Sequence, residues 1–276
     1  MRTVAVVLAG GSGSRFGSAR PKQLGVLAGR NLIEHCVAAF ESAPDVDTVL
    51  VVAARGTEDE VRRGVAGYRK VAAVIPGGST RTDSTRAAVG WLSSASGSVE
   101  EGPAGRAVAA GAAGAAGAAG AAGAAGPAAS AGADVKVLFH DAARPLVDQR
   151  TIADCVSALD KWDAVGVVVP SADTVVEVDD GVIRRVLPRH SLARCQTPQG
   201  FRLSVISRAY QLADADPAFG TVPATDDCGV VLRYLPEIPV AVVTGSQRNL
   251  KITYAADLAI AQALLDADDP ADRPED

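Results

Sequence analysis

A chain of 276 residues that is 48% hydrophobic can bury an ample core within one large domain. Its formal net charge of −5 without a basic block speaks against non-specific nucleic-acid binding, and no run approaches the roughly eighteen uninterrupted apolar residues of a membrane span. Cys36, Cys155, Cys195 and Cys228 are scattered without a Cys-x-x-Cys pair, which favours reduced thiols, and Met1-Arg-Thr leads straight into an apolar run with no secretory leader, so a cytoplasmic protein is expected.

In chain order, Val4 to Ala9 is wholly apolar, the pattern of a strand buried on both faces. Gly10, Gly11 and Gly13 end it in a loop where missing Cβ atoms let backbone N–H groups close on an anion. Arg15 and Lys22 follow as fixed cations, with Pro21 stiffening the approach. The spacing is not that of a P-loop and lacks the third glycine of the dinucleotide fingerprint, so a structural turn stands beside the phosphate cradle. Residues 31–42 carry helical spacing and Thr48 to Ala54 a strand, a βαβ unit that predicts a parallel sheet. An exposed helix over 57–68 and a strand over 71–75 repeat the pattern. Gly77 and Gly78 then open a loop leading into a helix with Ala87, Ala88, Val89, Trp91 and Leu92. Ser79 or Thr80 either caps that helix or lies where open α/β sheets bind ligands, at a strand's carboxyl end.

Between Ala109 and Gly132 the chain repeats Gly-Ala-Ala. Alanine favours helix and each glycine opposes it by about 1 kcal/mol, so a weakly helical or disordered, dispensable insertion is expected over 97–133. A strand at 135–139 ends at His140 and Asp141. A carboxylate in that position could hold Mg²⁺, which prefers oxygen ligands, or could be a loop or capping carboxylate; His140 reads as a packing residue. A helix over 151–159 and an apolar strand over 164–170 precede two alternating runs around Asp179-Asp-Gly181, a hairpin signal. Such a ribbon is marginal alone, so it packs either on a partner chain or on its own domain. Helices at 203–212 and 255–265 follow, with Asp226 left as a cap or a water-orienting carboxylate, and the tail from Asp266 reads as frayed.

The string Leu8-Ala-Gly-Gly-x-Gly-x-Arg-Phe-Gly17 followed by Arg20-Pro-Lys-Gln23 resembles the signature of nucleotidyltransferases that activate sugars and polyols. Gly77-Gly-x-x-Arg-x-Asp-Ser84, His140-Asp-Ala-Ala-Arg-Pro145, Thr197-Pro-Gln199, Thr225-Asp-Asp227 and Asn249-Leu-Lys-Ile-Thr253 narrow the resemblance to the family of cytidylyltransferases that act on 2-C-methyl-D-erythritol 4-phosphate. It covers nearly the whole chain outside the insertion. The resemblance implies an α/β, three-layer Rossmann-like, mostly parallel sheet with a protruding β-hairpin arm, the nucleotidyltransferase fold. One domain would span 1–265, with the arm at 171–195 and a tail at 266–276.

The activity implied is transfer of CMP from CTP to the polyol phosphate with loss of pyrophosphate, assisted by Mg²⁺. The resemblance assigns Arg15 and Lys22 to transition-state stabilisation and Arg189 and Lys251 to positioning the acceptor phosphate. Ala9, Gly10, Gly11, Gly13, Gly78, Ser84, Asp141 and Ala142 would bind the nucleotide, with Asp141 the candidate metal ligand; Arg144, Thr174 and Thr197 would contact the acceptor. A homodimer through the arm is implied, carrying Arg189 into the neighbouring site, with no nucleic-acid or membrane partner. Two positions depart from the family pattern: Asp227-Cys-Gly stands where acid-Ala-Ser is usual, and Arg248 replaces an aspartate. A ribitol-phosphate or sugar-phosphate nucleotidyltransferase and a non-catalytic nucleotide-binding domain are the rivals.

Overall fold

The computed structural model describes residues 1–10, 22–95, 134–221 and 224–267. Gly11, Gly13, Arg15, the whole 97–133 insertion and the tail beyond 267 therefore lie outside the described residues.

Strand β1 (Thr3–Ala9) is buried along its whole length, and its side chains alternate between two cores. Ala5, Val7 and Ala9 join one cluster, and Val4, Val6 and Leu8 join the other, as the period of two in a strand requires. Burying each such valine or leucine is worth about 1.5–3 kcal/mol, so a two-faced apolar run is stable only between two helical layers. Strand β4 (Thr48–Ala53) repeats the arrangement, with Val49 and Val51 on one side and Leu50 and Val52 on the other. Helix α1 (Leu32–Ser42) begins at a reciprocal cap, Asn31 Oδ1 accepting from Glu34 N–H and Glu34 Oε2 from Asn31 N–H, both at 2.9 Å. It packs on the first cluster through Ile33, Cys36, Val37 and Phe40, together with α2 (Glu58–Val65) and α4 (Gln149–Ala158). The second cluster is covered by α3 (Arg81–Ala95), α5 (Leu203–Ala215) and α6 (Asp227–Tyr234). The result is the expected three-layer α/β architecture.

Among the described residues the sheet has seven strands. β5 (Val71–Pro76), β4, β1 and β6 (Lys136–Asp141) lie side by side in parallel; β10 (Ala193–Arg202) comes next, then β7 (Ala164–Pro170) and β11 (Val240–Thr244). β7 and β11 are parallel, while β10 runs antiparallel to both β6 and β7. No strand was expected over 193–202, because Gln196, Pro198 and Gln199 interrupt its apolar pattern. Those polar side chains belong to a site, not to the core. The hairpin is present: β8 (Val176–Asp179) pairs antiparallel with β9 (Val182–Val186). Asp180 and Gly181 take φ of 46° and 71°, the left-handed pair a two-residue turn needs. Helix α7 (Ala255–Asp266) closes a small third cluster on Leu27, Leu32 and Ile252; Leu27 belongs to a short ribbon, β2 (Val26–Leu27) with β3 (Arg30–Asn31).

Candidate active site

β1, β5 and β6 are parallel and end together, so the residues that follow them converge at one edge of the sheet. Gly10 follows β1, Gly77 and Gly78 follow β5, and Asp141 closes β6. A Cβ on Gly77 would stand 2.8 Å from Ser84 Oγ, one on Gly10 would collide with the same hydroxyl, and one on Gly78 would run into Asp83. Only glycine lets these loops meet. Ser84 Oγ donates to Thr80 C=O at 3.0 Å and accepts from Gly78 N–H at 3.3 Å. The capping reading of this loop is realised in Thr80: its Oγ1 accepts from Asp83 N–H while Asp83 Oδ2 accepts from Thr80 N–H, both at 3.0 Å.

Asp141 is the hinge of the site. Its Oδ1 accepts from Arg81 Nε at 2.9 Å and its Oδ2 from Lys251 Nζ at 2.6 Å. Burial alone would raise this carboxyl, but Arg81 and then Lys251 outweigh burial and hold it well below the usual carboxylate range. Arg81 also reaches Asp227 with Nη1 at 2.8 Å, and the buried Asp227 accepts from Tyr210 O–H at 2.6 Å. Lys22 Nζ donates to the backbone carbonyl of Ile252 at 2.9 Å, one residue along from Lys251. Two lysines, an arginine and a carboxylate thus gather from four separate segments.

Two clefts open here. The first, about 470 Å³ measured out to solvent, is lined by Leu8, Ala9, Gly10, Lys22, Gln23, Arg81, Ser84, Asp141, Ala143 and Lys251. The second, about 430 Å³, is lined by Arg144, Cys195, Gln196, Thr197, Gln199, Thr225 and Asp226, again with Arg81, Asp141 and Lys251. Arg81, Asp141 and Lys251, shared by the two, form the wall between them.

The second cleft is fixed by hydrogen bonds. Arg144 donates to Asn249 C=O at 2.7 Å and to Cys195 C=O at 3.2 Å, and Asn249 Nδ2 donates to Thr197 C=O at 2.8 Å. His140 Nε2 faces the Arg144 carbonyl at 2.9 Å; a carbonyl only accepts, so that nitrogen carries the proton. Nδ1 then accepts from Thr197 O–H at 3.1 Å, and Thr197 Oγ1 accepts from Asp141 N–H at 3.1 Å. Burial holds the His140 ring neutral, down at about 4. His140 is a packing residue against Phe40, as expected, and it also fixes Thr197 and the Asp141 backbone.

Of the residues singled out from sequence, Ala9, Gly10, Lys22, Ser84, Asp141 and Lys251 line the first cleft and Arg144 and Thr197 the second. Ala142 is buried beside Asp141, and Gly78 sits against Ser84. Thr174 and Arg189 do not reach either cleft in one chain: both are exposed near the base of the hairpin, and Arg189 Nη1 donates to Ala172 C=O at 3.0 Å. Asp226 caps α6, accepting from Gly229 N–H at 2.8 Å, and also lines the second cleft; the cap that serves Thr151 is Asp148, not Asp141. Sequence reasoning missed Arg81, Asp227 and Gln199. All three stand inside quoted motifs, but their roles depend on partners far away in sequence, 60 residues in the case of Arg81 and Asp141.

A mostly parallel sheet that gathers fixed cations and carboxylates at adjoining clefts is the framework of an enzyme for phosphorylated ligands, nucleotidyltransferases among them. Comparison with known proteins makes the class specific. A family model described as 2-C-methyl-D-erythritol 4-phosphate cytidylyltransferase matches residues 3–110 and 120–267, and the chain belongs to that family of nucleotidyltransferases. A 2-C-methyl-D-erythritol 4-phosphate cytidylyltransferase of Thermobifida fusca is 46% identical over 271 residues, covering 96% of this chain and 93% of the relative. A bifunctional ribulose 5-phosphate reductase/CDP-ribitol pyrophosphorylase of Haemophilus influenzae is 32% identical and matches 95% of this chain, but only 48% of its own length is covered. Among solved structures, the 4-diphosphocytidyl-2C-methyl-D-erythritol synthase of Anaerococcus prevotii superposes with a TM-score of 0.71 over 96% of this chain and 99% of its own, at 23% identity, which speaks to the fold. The 2-C-methyl-D-erythritol 4-phosphate cytidylyltransferase of Thermus thermophilus gives 0.65 at 26% identity, covering 96% and 98%.

Proposed function

We propose that this chain transfers CMP from CTP to 2-C-methyl-D-erythritol 4-phosphate, releasing pyrophosphate, with the nucleotide in the first cleft and the acceptor phosphate entering from the second. The observation that carries the reading is the shared wall, where Arg81, Asp141 and Lys251 face both clefts. Ligands seated on its two sides would face each other across these three side chains.

A phosphate monoester is mostly dianionic near neutrality, its second pKa being about 6, so the attacking oxygen needs no general base. The site is consistent with this: His140 is neutral, buried and committed at both nitrogens, and Asp141 is paired with two cations. The barrier is electrostatic, since two anions must meet while charge grows on the α-phosphoryl oxygens and the leaving pyrophosphate. Lys22 neutralises the triphosphate, and Arg15, beyond the described residues, is assigned the same task from its motif. Lys251 holds the acceptor phosphate, Arg144 anchors the loop behind it, and Thr197 fixes Asp141.

Asp141 is the carboxylate lining the first cleft, and Mg²⁺ is commonly held by one or two carboxylates plus substrate phosphates and water. Each carboxylate oxygen has two acceptor sites and only one is used by Arg81 or Lys251, so the donor set fits. A cation held there would supply neutralising charge to the phosphates.

The hairpin presents Val178, Val182, Ile183 and Val186 at 51–62% exposure, an unsupported apolar ribbon. We assign it to a homodimer in which Thr174 and Arg189 serve the partner's site. Ile183→Asp should halve the mass seen by sedimentation; an unchanged mass sinks this assignment. One domain over 1–265 is retained, and the Gly-Ala tract is read as dispensable, the family match itself passing over 111–119.

The test is a pyrophosphate-release assay across CTP, UTP, ATP and GTP, each with 2-C-methyl-D-erythritol 4-phosphate and ribitol 5-phosphate. Turnover confined to CTP and the branched acceptor supports the proposal. Preference for ribitol 5-phosphate would favour the activity named for the Haemophilus relative, and CTP binding without turnover would favour a nucleotide-binding domain.

A further inference from the structure

Two of the four cysteines have no part in the chemistry above, yet they meet beside it. Cys36 and Cys155 are sealed in the core, where burial pushes the Cys155 thiol up to about 12. Cys195 is exposed and lines the second cleft. It lies on β10 where the pairing with β7 slips between Cys195 and Gln199. Cys228, buried, is the second residue of α6. One amide bridges them: Gln199 Nε2 donates to Cys195 Sγ at 3.2 Å, and Gln199 Oε1 accepts from Cys228 N–H at 3.4 Å. The same amide thus ties the Cys195 side chain to the first turn of α6, where Cys228 stands.

We propose that Cys195 and Cys228 form a redox modification site, in which a peroxide entering the second cleft oxidises Cys195 and Cys228 resolves it to an intramolecular disulfide that disables the site. The Cys228 S–H and then the Gln199 N–H stabilise a thiolate at Cys195 and hold its pKa below the ordinary thiol value, against burial and the Asp226 carboxylate. Cys228 is shifted upward and keeps its proton. An accessible thiolate beside a resolving cysteine is the environment that oxidants attack selectively.

The steps balance. The Cys195 thiolate attacks one peroxide oxygen, the O–O bond breaks, and hydroxide leaves, giving a sulfenic acid. Cys228 sulfur then attacks the Cys195 sulfur, the S–S bond forms, and the sulfenic oxygen departs as hydroxide, taking the Cys228 proton to become water. With the first hydroxide protonated by solvent, two thiols are oxidised and one peroxide is reduced to two waters.

The bond would draw Cys195 away from Gln199. That residue also holds Asp227 N–H through Oε1 at 3.1 Å and Asp226 Oδ2 through Nε2 at 2.8 Å, and Asp227 anchors Arg81. Oxidation therefore disturbs the wall between the clefts.

The effect on turnover rests on the proposed transfer reaction, whereas the bond itself does not, and the experiment reads both. Full-length reduced protein is treated with hydrogen peroxide, digested without reductant and analysed by mass spectrometry, with pyrophosphate release followed in parallel. A peptide pair linked through Cys195 and Cys228 is expected, with turnover lower on the order of 10²-fold, the scale of an ångström misplacement, and regained with dithiothreitol. Cys228→Ala keeps basal turnover and forms no link, and Cys195→Ser forms none either. Both thiols remaining free, either one linking to a different cysteine, or a linked protein with full turnover overturns the proposal. A linked pair in protein that turns over no substrate even when reduced upholds the bond and sinks the transfer reaction instead.

Discussion

Beyond the wall they share, the first cleft is bounded partly by small residues around Gly10, the second by long polar side chains tied to one another. Ala9, Gly10, Ser84 and Ala143 leave the first cleft open to backbone approach, and its tolerance for added atoms is near zero where Gly10 and Gly77 meet Ser84. In the second, Arg144, Gln196, Thr197 and Gln199 are each fixed by hydrogen bonds to the backbone or to other side chains. A ligand in the first cleft is selected by what the protein omits, and one in the second by what its hydrogen bonds hold in place. Added bulk should therefore injure the first, and a lost partner the second.

The largest expected effect comes from Arg81→Met, which removes the wall common to both. Asp227 is fully buried and among the described residues would retain only Tyr210 as a side-chain partner, so stability should fall by about 3–5 kcal/mol in urea titration; a change under about 1 kcal/mol would mean that the pair is not a structural tie. Next is Lys22→Ala, expected to lower kcat by about 10²–10³-fold with an unaltered circular-dichroism melt. Near-normal turnover would remove Lys22 from the mechanism. Gly10→Ala tests the comparison itself. Crowding against Ser84 at the usual overpacking cost of about 1–3 kcal/mol should raise the CTP KM some 10- to 100-fold while leaving the acceptor KM unchanged; equal changes in both would erase the distinction between the clefts.

The smallest effect is in the pH dependence of stability. His140, held down at about 4 by burial against an ordinary value of about 6.5, favours the fold fully above about 6.5. That contribution is lost as pH falls towards about 4, because the unfolded chain takes up the proton first. The Asp141 contribution is present above about 4 and is lost below it, since Arg81 and Lys251 overcome burial and hold its folded pKa down. His140→Gln should flatten the upper limb of a stability–pH curve and Arg81→Met should reduce the lower; one variant altering both would show that the two groups titrate as a unit.

The same contrast explains what could be read from the sequence. β1, β4 and β7 are almost unbroken apolar runs and the hairpin turn is spelled by Asp180-Gly181, so the parallel sheet and the hairpin were legible from local physics. The first cleft was legible too, because its glycines and Lys22 sit in contiguous strings. β10 was not, since Gln196, Pro198 and Gln199 break the apolar alternation, the two glutamines lining the second cleft. Arg81 and Asp227 stood in two motifs far apart in the chain, and only the fold brings Asp227 from α6 to Arg81 on α3. That Asp226 caps α6 depends on where the helix begins, which its local sequence did not mark.

The central claim is that nucleotide and acceptor meet across the Arg81–Asp141–Lys251 wall. A crystal structure of Lys22→Ala, slowed so that both substrates persist, with CTP, Mg²⁺ and the acceptor bound, tests it most directly. The triphosphate should lie along Gly10 with its cation on Asp141, and the acceptor phosphate should sit on the Lys251 and Arg144 side, its oxygen facing the α-phosphorus. Both ligands in a single cleft, or phosphates remote from Lys251, would contradict it.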